Sequence, residues 1–321
     1  MTQTYHQTHR QTYHFKVNRN LLSIIICSII LSCCSSKNQY AKNQYDFSKL
    51  HTYSLQMQQD LQESNKVRFP FKASFHTKDM DLLYLALRHD TGLKSPSLRA
   101  VKTAIKIFTP DLIIIEGLTE DAQYQTTLNL ARKQCATDSK ECSENLYAIY
   151  LADLHNIAFV GAEPNNQHVF QVMKEEGYQE KDLVFFYFSR QILQDYREGK
   201  CRSIDDLEKL FPEFLISEKI KGKYSFAKYM LWLKANLSHN ITFKMLIDNE
   251  LAAPITNGTY LQNMSSRIGL IRDKKALEII LNNTTKYKKI IVVFGGSHYT
   301  TQKEVLEQYW GKPDYYNYHY Y

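Results

Sequence analysis

Short, unbroken apolar runs recur along the chain, separated by longer stretches with helical spacing. Asp81 to Arg88 (DLLYLALR), Leu112 to Ile115, Ile157 to Val160 and Lys289 to Phe294 are apolar at consecutive positions. They are too short for helices and end at polar or turn-forming residues, so they predict strands. Leu98, Val101, Ile105 and Phe108 fall on one face of a helix spanning 96–108, and Pro110-Asp111 punctuates its end. Residues 120–156 predict two helices joined around Thr137 to Ser143, and 270–282 a further helix. The stretch from Asn165 to about Asn249 reads as mostly helical, with an amphipathic segment at 183–196. Strands without an alternating polar face need cover on both sides. The pattern therefore predicts an α/β fold, a mainly parallel or mixed sheet flanked by helices, with a helical insertion in the second half.

The first 32 residues stand apart. Arg10, Lys16 and Arg19 precede an apolar run, Leu21 to Ser32, and no acid occurs before it. A bilayer-crossing helix needs about 20 apolar residues, which this run does not reach. A basic segment, a short apolar segment and a small residue describe an export signal. Ser32-Cys33 makes it resemble a bacterial lipoprotein signal, with Cys33 (or Cys34) as the lipid-bearing residue, although Leu31 is bulkier than usual for that position. The organisation expected is a signal at 1–32, a polar tether and short helix at 33–65, one α/β domain at 66–312 and a Tyr-rich tail at 313–321. The protein would then sit outside the cytoplasm, anchored to a bacterial membrane through its lipid.

Composition sharpens this picture. The 40 Lys and Arg exceed the 33 Asp and Glu by seven, but removing the three cations of the leader leaves a mature chain at only +4. The remaining lysines are interspersed with acids, as in Lys174-Glu175-Glu176, and no basic stripe with interleaved aromatics predicts nucleic-acid binding. A mean hydropathy of −0.43 excludes a multi-span membrane protein. Six cysteines are too few for a disulfide scaffold at 321 residues. Cys135 and Cys142, seven apart near a helical turn, are a reasonable disulfide in an exported chain, with Cys201 left over.

The candidate chemistry lies where the strands stop. His89, Glu116, Glu163 and His298 each follow a predicted strand, and open α/β sheets bind ligands outside the carboxyl ends of their strands. Two imidazoles and two carboxylates in one crevice could activate water as general bases or hold a divalent metal. Gly295-Gly296 before His298 would let backbone approach a ligand closely. Arg88 beside His89 would oppose its protonation.

The ordered stretches YLALRHDTG (84–92), PDLIIIEG (110–117), FVGAEP (159–164), RDKKALEII (272–280) and IIVVFGGSH (290–298) resemble the TraB/TIKI, erythromycin esterase and ChaN-like superfamily. The resemblance implies a mixed sheet with a pocket at the strand ends and a hydrolase acting on an ester, lactone or peptide bond. Carried over by position, it makes His89, Glu116 and His298 catalytic, by water activation or with manganese, cobalt or zinc. Glu163, Arg272, Gly295 and Gly296 become supports, with Arg272 a donor to an oxyanion or substrate carboxylate. ChaN-like lipoproteins bind haem, so a haem-binding lipoprotein or an inactive scaffold is the rival expectation. The chain departs from the family's Gly-x-x-His at Ala86-Leu-Arg-His89, whereas Gly295-Gly-Ser-His298 fits it.

Two other motifs are weak. Asp90-Thr91-Gly92 has no second copy to supply the paired aspartate of an aspartic protease. Gly295-Gly-Ser-His-Tyr299 lacks the last glycine of a serine nucleophile elbow.

Overall fold

The computed structural model describes residues 45–120, 122, 124–137, 141–237, 240–248, 251–254 and 258–318. The expected signal, Cys33 and Cys34, and the start of the tether lie outside the described residues. In chain order the elements are α1 (Leu55–Ser64), β1 (Phe71–His76), β2 (Asp81–Leu87), α2 (Pro96–Phe108), β3 (Leu112–Thr119), α3 (Tyr124–Cys135), α4 (Glu144–Leu154) and β4 (Ala158–Glu163). There follow α5 (Asn166–Glu175), α6 (Glu180–Arg197), α7 (Ile204–Ser217), α8 (Phe226–Leu237), α9 (Phe243–Leu246), α10 (Tyr260–Thr284), β5 (Lys289–Gly295), α11 (Gly296–Trp310) and β6 (Asp314–Asn317).

The described strands form one mixed sheet in the order β4-β3-β5-β2-β1-β6. The pairs β4-β3, β3-β5 and β5-β2 are parallel, while β1 runs antiparallel to both β2 and β6. The fold is thus the expected α/β sheet flanked by helices, with a helix-rich second half. The sequence reading passed over β1, whose Lys72 and Ser74 interrupt the apolar run. It forms a hairpin with β2 across residues 77–80, and Asp314–Asn317 of the aromatic tail closes its far edge.

The apolar runs are continuous because both faces are covered. Leu82, Tyr84 and Ala86 join Ile114, Val292 and Phe294 in a core under α10 and α11. Leu83, Leu85 and Leu87 join Ile113, Ile115 and Val293 under α2 and α4. Successive side chains of a strand point to opposite faces, so each such run feeds two cores.

The helix-rich half has its own aromatic core. Phe185, Phe188, Phe211, Tyr229 and Trp232 bury their rings together, with Phe188 edge-on to Phe211 at 4.8 Å between centroids. Full burial of each such ring is worth about 1.5–3 kcal/mol. Asp182 at the start of α6 accepts from Trp232 Nε1 at 2.7 Å and from the Tyr260 hydroxyl at 3.0 Å. That carboxylate fixes α6 against α8 and α10, and so sets the position of the side chains farther along those helices.

Candidate functional site

The parallel order β4-β3-β5-β2 brings the ends expected to carry chemistry side by side. Glu163 ends β4, Glu116 lies near the end of β3, and Gly295 ends β5. His298 is not at the strand tip but in the first turn of α11, and His89 is two residues past β2. Strand parity decides which way each points. Glu116 shares parity with Ile114 and faces α10 and α11, whereas His89 continues the parity of Leu85 and Leu87 toward α4.

On the α10–α11 side, His298 sits between two buried carboxylates. Its Nδ1 donates to Asp273 Oδ1 at 2.6 Å and its Nε2 lies 3.1 Å from Glu116 Oε1. Only the doubly protonated ring can donate to both. Burial alone would push the imidazole down, but the charges of Glu116 and Asp273 outweigh it and hold His298 well above the ordinary histidine range. Burial likewise pushes Glu116 up, yet His298, His89 and Arg272 hold it well below the usual carboxylate range. Asp273 is satisfied further by Thr301 Oγ1 at 2.6 Å and Gln302 Nε2 at 2.7 Å, and Gln302 accepts from Tyr84 at 3.0 Å. Glu116 Oε2 accepts from the Gly295 amide. Beside this network Arg272 grips Glu163 through two hydrogen bonds of 2.6 Å, the bidentate geometry that suits a guanidinium.

On the α4 side, His89 Nδ1 donates to Glu144 Oε1 at 2.8 Å. The His89 side chain is 64% exposed and that of Glu144 only 4%. Glu144 opens α4 behind its N-cap Ser143. Two loop contacts deliver it: Thr91 bridges Ser143, and the Gly92 amide donates to the Cys142 carbonyl at 2.9 Å. Cys142 is joined to Cys135 in a disulfide that closes this loop against α3. Cys201 is free and buried. Asp90, the motif discounted above, has a local role, accepting from Ser97 Oγ at 2.9 Å at the start of α2.

Two expectations change. Arg88 does not govern His89: the hydrogen bond to Glu144 is the leading influence, and it raises the imidazole above its ordinary value against the cost of burial. The Gly295-Gly296 pair makes room for protein side chains. A Cβ on Gly295 would stand 2.9 Å from His89 Nε2 and 3.3 Å from Glu116 Oε2, and one on Gly296 would collide with Phe69. Gly295 therefore lets the two halves of the site approach across the end of β5.

Above these groups opens a cavity of about 290 Å³, lined by His89, Glu116, Arg272, Ser297 and His298 together with residues of α6, α10 and the 51–53 segment. It lies at the small end of ligand pockets, which run from roughly 300 to 1,000 Å³. Among the described residues no group of three His, Cys, Asp or Glu is placed to hold a metal ion. The donor set explains why: both His298 nitrogens and both Glu116 oxygens are engaged, and Arg272 stands beside them. As arranged, His89, Glu116 and His298 do not fit a divalent cation. Haem fits poorly as well, because the cavity is small for a porphyrin.

Sequence reasoning missed Glu144, Asp273, Thr301 and Gln302. Thr301 and Gln302 follow His298 by three and four positions, so a helix beginning at Gly296 puts all three on one face. Asp273 lies beside the chosen Arg272. Glu144 left no such signal, being 55 residues from His89.

The buried pair makes stability depend on pH in a defined sense. A histidine held above its unfolded value of 6.5 stabilises fully below that pH and less as pH rises toward its folded value. Glu116, held below its unfolded value of 4.5, stabilises above that pH and loses the effect in acid. Between pH 6.5 and the folded value, one proton corresponds to about 1.4 kcal/mol per pH unit. Denaturant unfolding of wild type and His298→Gln between pH 6.5 and 8.5 should show the steeper loss in wild type. Equal slopes would contradict a protonated His298.

No family model matches the chain, no curated protein matches its sequence, and no solved structure matches its fold.

Proposed function

We propose that the chain is a hydrolase of small ester, lactone or peptide substrates, in the manner of the superfamily it resembles, with His89 as general base. The observation that carries this reading is the Glu144–His89 dyad, whose open imidazole nitrogen lines the cavity beside the ion-paired His298 and Arg272. Glu144 holds the proton on Nδ1, leaving Nε2 of the neutral ring free to accept one from water. The resulting hydroxide attacks the substrate carbonyl, and His89 then returns the proton to the leaving group. Negative charge developing on the carbonyl oxygen is met by the positive end of α11, whose cap Gly295 supplies no side-chain hydrogen bond to the first turn. His298 and Arg272 are each paired with carboxylates, so the helix end carries this stabilisation. Because both His298 nitrogens face carboxylates, it serves as a fixed cation and not as a base.

Hydrolysis of an ester, lactone and peptide panel tests this reading. His89→Gln should lower kcat by roughly 10²–10⁴-fold. Activity should rise with pH as His89 loses its proton, and Glu144→Gln should move that rise to lower pH by removing the group that lifts the imidazole. A wild type inert on the whole panel, an active His89→Gln variant, or an unmoved pH profile in Glu144→Gln would each count against it.

We also propose export and lipid anchoring at Cys33 or Cys34. The Cys135–Cys142 disulfide supports an oxidising compartment. Labelled palmitate should enter the wild-type chain in a bacterial host and be lost when both cysteines are replaced by alanine. Undiminished labelling of the double variant would refute the assignment.

A further inference from the structure

Part of the cavity takes no role in the proton chemistry. Arg190 of α6 and Ser265, Ser266 and Gly269 of α10 line it, held by the Asp182 junction between those helices. Arg190 is solvent-accessible. Among the described residues no carboxylate lies within 4 Å of its guanidinium, since Glu163, the nearest in influence, is gripped by Arg272 through both oxygens. Although the side chain reaches solvent, protein atoms crowd it, and this partial loss of water and then the like charge of Arg272 work against the Arg190 cation. Two guanidiniums thus share one neighbourhood with their common carboxylate already spoken for.

Ser266 is an independent sign. It is 5% exposed, its hydroxyl has no hydrogen-bond partner among the described residues, and it lines this cavity. A buried hydroxyl left unpaired costs free energy that a bound acceptor would recover. Gly269, three positions on, faces the same way, and a Cβ there would meet nothing within 4 Å. The helix surface at Ser266 and Gly269 therefore opens onto free space and not onto packed protein.

We propose that Arg190 and Ser266 form an oxyanion-recognition subsite, and that the substrate is a small molecule bearing a carboxylate or phosphate group. The guanidinium fork offers paired N–H donors to either anion, and the Ser266 hydroxyl offers a third. The assignment of the anion's bearer as substrate rests on the hydrolase reading above; the anion site itself does not.

Calorimetric titration of the full chain with inorganic phosphate and, separately, with succinate tests this without turnover. At least one should bind, more weakly as salt rises, and which one binds separates phosphate from carboxylate recognition. Arg190→Gln should weaken binding by roughly tenfold or more, because a charge-assisted fork is lost. Gly269→Leu, which fills the open space and introduces a better helix former, should abolish it, and thermal melts of both variants establish that they fold. Failure of both anions to bind wild type would overturn the proposal, as would equal binding by wild type, Arg190→Gln and Gly269→Leu. An inert substrate panel would remove the base assignment and leave this titration standing. Loss of anion binding would do the reverse.

Discussion

A protonated imidazole held between two buried carboxylates joins the three parts of the chain that meet at the sheet's end. His298 comes from the first turn of α11, Asp273 from the middle of α10 and Glu116 from β3. A buried charge is tolerated only when it is paired and its hydrogen-bonding capacity is met. Here every polar atom of the pair is used: Thr301 and Gln302 complete Asp273, and the Gly295 amide completes Glu116. Removing any one member would leave another charged and without its partner at a largely enclosed site. Holding this cation ties α11 and α10 to the end of β3.

The consequence is a separation of roles between two histidines that look alike in sequence. His298 is committed on both nitrogens, while His89, on the other side of β5, is committed on one. His298 sits in the first turn of α11 while His89 follows β2 on the parity of Leu85 and Leu87 toward α4, and that difference gives the two rings different surroundings. Glu144 raises His89 without burying it, so the exposed ring keeps a proton-accepting nitrogen at the cavity. The end of α11 beside it forms a preorganised field that needs no rearrangement when negative charge appears.

The fold was legible where physical chemistry is local. Fully apolar strands announced a sheet covered on both faces, and the polar residues beyond them marked the edge where the titratable side chains gather. Short Phe71–His76 was missed because Lys72 and Ser74 give it no continuous run, and its pairing with β2 and β6 is a long-range matter. The first turns of α10 were missed because Ser265, Ser266 and Gly269 are weak helix formers; a capping box of Thr259 and Gln262 starts that helix instead. Site partners were hardest. Glu144 reaches His89 only because two loops are bridged at Thr91–Ser143, and no residue spacing encodes that contact. Arg272 was legible as a site residue but not as one spent on Glu163.

The division of labour between the two imidazoles can be observed directly. Nitrogen-15 NMR of histidine-labelled protein, titrated from mildly acidic to alkaline pH and assigned with His89→Gln and His298→Gln, reports the protonation of each ring. His298 should remain an imidazolium through neutral pH, while His89 should titrate above the ordinary histidine value to a neutral ring carrying its proton on Nδ1. A His298 that loses its proton near 6.5, as a histidine in water does, would contradict the account.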